Sequence, residues 1–148
     1  MNRTLLRSLI LIAASTTLAA CGGGSSAGAE EGFGRRPDTL TGAYVGRIAV
    51  AETSCSGIAS GATIPINLEV IQSGDVVTAE EAGNSYTGKI LTESYGFQVA
   101  SQSLGGQFAE QRTFIYSGNG SKFNVTMVFT DKAKNCAGTY SGAVIYYS

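Results

Sequence analysis

Phe123-Asn124-Val125-Thr126-Met127-Val128-Phe129-Thr130 places large apolar side chains at every odd position and mostly polar ones between them. That period of two belongs to a half-buried β-strand, because successive side chains on a strand point to opposite faces. Ile64-Pro65-Ile66-Asn67-Leu68-Glu69-Val70-Ile71 carries the same alternation. Six further runs over residues 41–50, 75–80, 86–92, 95–100, 108–116 and 137–147 read as strands, and no stretch after residue 39 holds a helical period for ten residues. Turn residues separate most of them. Ser73-Gly74-Asp75, Gly83-Asn84, Gly105-Gly106 and Gly118-Asn119-Gly120 all offer residues that tolerate the positive φ of tight hairpins.

Eight closely spaced strands predict an all-β fold, an antiparallel up-and-down meander. A meander of that length has two exposed edges, and closing strand eight onto strand one removes both. The expectation is therefore an eight-stranded barrel over residues 39–148, with a two-sheet sandwich as the alternative. Cysteine placement supports closure. Cys55 follows the first strand and Cys136 precedes the last, so antiparallel pairing of those strands puts both at one rim, where they form a disulfide in an oxidising compartment. Gly42-Ala43-Tyr44-Val45-Gly46 and Gly138-Thr139-Tyr140-Ser141-Gly142 lie in those same strands. Glycine there permits sharp bending and lets a neighbouring ring lie flat.

The first 20 residues have another character. Arg3 and Arg7 precede Leu9-Ile10-Leu11-Ile12-Ala13-Ala14, an apolar run too short to span a bilayer, and Leu18-Ala19-Ala20-Cys21 follows. This resembles the lipobox of bacterial lipoproteins. The resemblance implies removal of residues 1–20, a diacylglyceryl thioether on Cys21 and acylation of the new amino terminus. Attachment to a lipid bilayer then runs through Cys21, because two or more acyl chains hold where one does not. Gly22, rather than an aspartate, implies the outer membrane with the domain facing the periplasm. Gly22-Gly23-Gly24-Ser25-Ser26-Ala27-Gly28-Ala29 has no side chain able to build a core, so residues 21–38 read as a flexible tether. Its small-residue part reaches roughly 15–20 Å as a coil.

Leu40-Thr41-Gly42-Ala43-Tyr44, the strand count and the first-to-last closure resemble the calycin superfamily of small meander barrels, which includes lipocalins and avidins. Lipocalins carry Gly-x-Trp in the opening strand, where this chain has Tyr44. The basic residue of their last strand has no counterpart in residues 137–147. The resemblance accordingly implies architecture and transfers no functional residue.

Composition narrows function. The chain has 10 basic and 11 acidic residues; loss of Arg3 and Arg7 leaves eight basic ones and a net charge of −3 with the amine acylated. No basic cluster exists, which argues against a nucleic-acid partner. No histidine occurs, which removes the usual base of Ser/His and Cys/His catalysis and a common metal ligand. Glu80 and Glu81 are adjacent on a strand, point to opposite faces and read as turn charge in water. No enzyme activity, metal or cofactor is expected.

One strand offers a candidate site. Phe108, Glu110, Arg112, Phe114 and Tyr116 share a face if the strand runs unbroken, and the Glu110/Arg112 pair then stands in the barrel mouth, able to grip a polar head group. The preferred reading is that the strand starts near Arg112, or that a bulge turns the pair to solvent. Ile58, in the loop at residues 56–62 beside Cys55, is the other candidate contact. The interior is assigned Tyr44, Ile48, Ile66, Leu68, Val70, Tyr86, Phe97, Val99, Phe114, Tyr116, Phe123, Val125, Met127, Phe129, Tyr140 and Val144, whose rings are bulky enough to fill it. The functional expectation is a non-enzymatic, membrane-anchored envelope module that contacts another envelope protein as an accessory or inhibitor. The alternative is a carrier holding a small apolar or amphiphilic ligand in the barrel.

Overall fold

A computed structural model describes residues 36–148. The expected signal peptide, Cys21 and residues 22–35 of the expected tether lie outside the described residues. Eight antiparallel strands form one closed barrel in chain order: β1 (Gly42–Thr53), β2 (Thr63–Ser73), β3 (Val76–Glu81), β4 (Asn84–Leu91), β5 (Gly96–Ser103), β6 (Phe108–Tyr116), β7 (Lys122–Asp131) and β8 (Cys136–Tyr147). Closure comes from β1 pairing with β8, with Ala43 opposite Tyr147 and Val50 opposite Tyr140, and a bulge between Val50 and Glu52. A continuous barrel replaces the sandwich alternative.

Every hairpin departs from the ladder through residues at positive φ where the chain turns back most sharply. The β3–β4 turn is Ala82-Gly83, at φ 49° and 82°, with Asn84 already in β4. Positive φ at both central positions is the geometry whose twist matches the flanking strands. The sequence had placed this turn one residue later.

Both barrel ends can be followed from the pairing. One rim carries Cys55, Cys136 and the loops after β1, β3, β5 and β7. The other carries the chain entry at residues 36–41, the loops after β2, β4 and β6, and the C-terminus. At the first rim Cys55 and Cys136 are bonded, with Cα atoms 4.9 Å apart, and the flanking Ser54 N–H donates to the Ala137 carbonyl at 2.8 Å. At the entry rim, residues 36–41 fold across the opening. Leu40 is buried, its carbonyl accepts from the Tyr44 hydroxyl at 2.9 Å, and the Tyr146 hydroxyl donates to the Thr41 carbonyl at 2.8 Å. Arg36 stacks over Tyr95 at 4.1 Å, and the Tyr95 hydroxyl donates to the Pro37 carbonyl. Arg36, Pro37 and Asp38, assigned to the tether from sequence, thus lie against the barrel end.

The entry half of the interior is packed with rings. Tyr44 meets Phe97, Phe114, Phe123 and Tyr146 edge-on, at centroid distances of 5.1, 5.6, 5.2 and 5.3 Å, and Phe97 stacks on Phe114 at 4.5 Å. These separations lie in the favourable range for aromatic pairs. Glycines allow the close packing. A Cβ on Gly42 would stand 2.6 Å from the Tyr146 ring, and one on Gly46 would stand 2.8 Å from the Val144 Cα. Of the side chains assigned inward from sequence, only Tyr116 is not fully buried; Val77 and Ala79 of β3 also point inward and were not assigned.

The bond between Cys55 and Cys136 spans 81 residues of chain. Replacing both by alanine is expected to lower unfolding free energy by on the order of 4 kcal/mol on the chain-entropy account. Urea denaturation of the oxidised protein and the double variant measures this, and a loss near zero would contradict it.

Candidate functional site

β6 runs unbroken from Phe108 to Tyr116, pairing residue for residue with β5 and with β7. No bulge intervenes, so Phe108, Glu110 and Arg112 all face inward. This corrects the reading that sends Glu110 and Arg112 to solvent: Arg112 is only 4% exposed and is the one buried charged residue among those described.

Its burial is explained by its partners. Nη1 donates to Glu81 Oε2 at 2.6 Å, Nη2 donates to the Tyr86 hydroxyl at 2.8 Å, and Nε donates to Glu110 Oε1. The guanidinium also lies 4.6 Å from the Tyr86 ring centroid, within cation–π range. Tyr86 in turn donates to Glu110 Oε1 at 3.4 Å. Glu81, read from sequence as turn charge in water, is therefore an ionic partner of Arg112. It sits inward because β3 continues one residue past the predicted end, keeping the face of Val77 and Ala79. Glu80 beside it is exposed.

Glu81 has a second task. β3 pairs with β2 only as far as Glu69 opposite Glu80, which leaves the first part of β2 without a neighbour on that side. The Asn67 N–H there donates to Glu81 Oε1 at 2.5 Å. Two residues earlier on the same edge stands Pro65, which has no N–H to satisfy. The network thus seals the barrel where the β3–β4 hairpin falls short.

Electrostatics follow from this geometry. Burial opposes the charge on Arg112, but the carboxylate and hydrogen bond of Glu110 outweigh it, and the guanidinium titrates above its ordinary value. Burial pushes the Tyr86 hydroxyl up to about 12, opposed by Arg112 and aided by Glu110. Burial also raises Tyr44, Tyr95 and Tyr146.

Above the network the disulfide rim opens into a cleft of about 290 Å³. Ile58, Ile64, Phe108, Met127, Phe129, Tyr140 and the Cys55–Cys136 bridge line it, together with Glu110, Asp131, Lys134 and Ser56. Phe108 and Phe129 stack at 6.0 Å across one wall. The loop bearing Ile58 is tied to β1, since the Val50 N–H donates to the Ala62 carbonyl at 2.9 Å and the Gly61 N–H to the Val50 carbonyl at 3.3 Å.

The structure brings together three of the four sequence candidates: Glu110 and Ile58 line the cleft, and Arg112 lies beneath it. Tyr116 does not join them. It occupies the opposite end of β6, against Phe123 at 5.7 Å and Tyr95 at 5.9 Å. Glu81 was missed, although inward parity with Val77 and Ala79 carried the signal. Among the described residues, no group of three or more cysteines and carboxylates is placed to hold a metal ion. Compared with known proteins, the chain matches no family model, no curated protein and no solved structure.

Removing Arg112 alone leaves two carboxylates in the interior without their counter-charge. Arg112→Met is expected to cost roughly 3–5 kcal/mol, and most of it returns when Glu81→Gln and Glu110→Gln are added. Chemical denaturation of the single and triple variants tests this; equal losses in both would contradict it. At alkaline pH the raised Tyr86 favours the protonated folded state, so its contribution is intact below pH 10 and declines as pH rises toward about 12. Tyrosinate absorbance and urea midpoints followed over that range should show late ionisation and falling stability.

Proposed function

We propose that this protein is a non-enzymatic, lipid-anchored binding module of the bacterial envelope, which holds one small amphiphile in the mouth of its barrel. The observation that carries the reading is an apolar-walled cleft with a charged floor, at the end of the barrel opposite the chain entry. Small-molecule sites are typically concave and mostly apolar, with a few placed polar groups. The 290 Å³ volume is at the small end of that range, which favours a compact ligand.

The anchoring part rests on the lipobox-like Leu18-Ala19-Ala20-Cys21. A chain acylated at Cys21 would join the barrel at Arg36, on the rim closed by residues 36–41. The cleft then lies at the end of the barrel remote from the tether. Aromatic packing of the entry half favours occupancy at the mouth over a ligand running the length of the barrel.

The accessory or inhibitor role is the second reading. It is favoured by Val45, Ile145 and Tyr147, exposed together on the outer wall where β1 pairs with β8. It requires nothing of the cleft.

Two outcomes are expected. Cys21→Ser shifts the protein from the membrane to the soluble fraction, and incorporation of radiolabelled fatty acid is lost; unchanged fractionation contradicts the anchor. The chain has no tryptophan, so Ile58→Trp places a single reporter at the cleft edge. Saturable emission changes with small amphiphiles support the ligand reading. Flat emission removes it and leaves protein contact.

A further inference from the structure

The buried network is not charge-balanced. One guanidinium, Arg112, faces two carboxylates, Glu81 and Glu110, and their side chains are only 5%, 15% and 11% exposed. With both acids ionised the cluster carries one net negative charge. Glu81 points down to Arg112 and the Asn67 N–H, whereas Glu110 also forms part of the cleft lining. The remaining acid at the cleft, Asp131, has its own cation in Lys134 at 3.5 Å. A negative charge held beside a largely apolar cleft is costly unless it meets a counter-charge. The surroundings suit one: the rings of Phe108, Phe129 and Tyr140 line the same space, and cations are attracted to aromatic faces.

Resting on the ligand reading above, we propose that the mouth cleft is selective for a small organic ammonium ion with an apolar body, its cationic head meeting Glu110 and its body enclosed by Phe108, Met127, Phe129 and Tyr140. The volume corresponds to about ten water molecules at ~30 Å³ each, enough for a single ring or a short alkyl chain with its head group. The guanidinium below does not reverse the preference, because its single charge faces two carboxylates and three of its five N–H donors are engaged by Glu81, Glu110 and Tyr86. An anionic head would instead lie against Glu110, and the cation of the lining, Lys134, is paired with Asp131.

The test uses three probes with nearly the same body and different heads: phenethylammonium, phenethyl alcohol and phenylpropionate. Calorimetric titration into the complete chain carrying Cys21→Ser should give binding of the ammonium at least about tenfold tighter than of the alcohol, the smallest gain expected of a hydrogen bond to a charged group. The acid should bind weakest. Glu110→Gln should bring ammonium and alcohol to parity, the ammonium losing its advantage of about tenfold. If Glu110→Gln does not fold, the ranking in the chain with Glu110 intact decides alone. Equal binding of all three probes, or preference for the acid, overturns this selectivity and leaves the ligand reading standing. No binding of any probe overturns both.

Discussion

Eight strands enclose room for side chains and little else, and Tyr44 is where that room is used up. Its ring touches four others, and its hydroxyl reaches the Leu40 carbonyl, so filling the interior and closing the entry rim are one arrangement. Shortening that side chain would remove the partner of four rings and free the segment across the opening. Because one half is solid, whatever space the barrel retains must lie at the other end. There the disulfide rim opens into the cleft.

Arg112 marks the boundary between those halves. A guanidinium at this depth is tolerated only because carboxylates arrive from two directions, Glu110 on its own strand and Glu81 from 31 residues away. Such networks add little stability relative to apolar packing, yet breaking one side of them is expensive. What the network contributes here is position. It ties β6 to β3 and β4, covers the unpaired stretch of β2 through the Asn67 amide, and sets a polar floor under an apolar mouth. The disulfide and the bound loop around Ile58 form the opposite wall, so both covalent and ionic constraints converge on the same cleft.

Much of this architecture is legible in the chain. The period-two alternation of Ile64 to Val70 and Phe123 to Phe129, with glycines where hairpins turn, sets strand number and inward face. The positions of Cys55 and Cys136 relative to the outer strands point to closure. The charged interior is less legible, because two local rules conflict. Parity along β6 turns Arg112 inward, while the cost of burying charge argues outward; the deciding fact, Glu81, is remote in sequence. Val77 and Ala79 escaped notice because β3 is short and small-sided. The cleft itself depends on how far Phe108, Phe129 and Tyr140 reach, and no alternation pattern encodes a volume.

A methyl-resolved NMR titration of the soluble chain with an apolar ammonium ligand reaches the central claim most directly. Ile58, Ile64 and Met127 line the mouth, whereas Leu68, Val70 and Val144 lie in the filled half. Saturable shifts confined to the first three are the predicted result. Shifts that spread through the second three, or no shifts anywhere, would contradict a barrel that is packed from one end and receptive at the other.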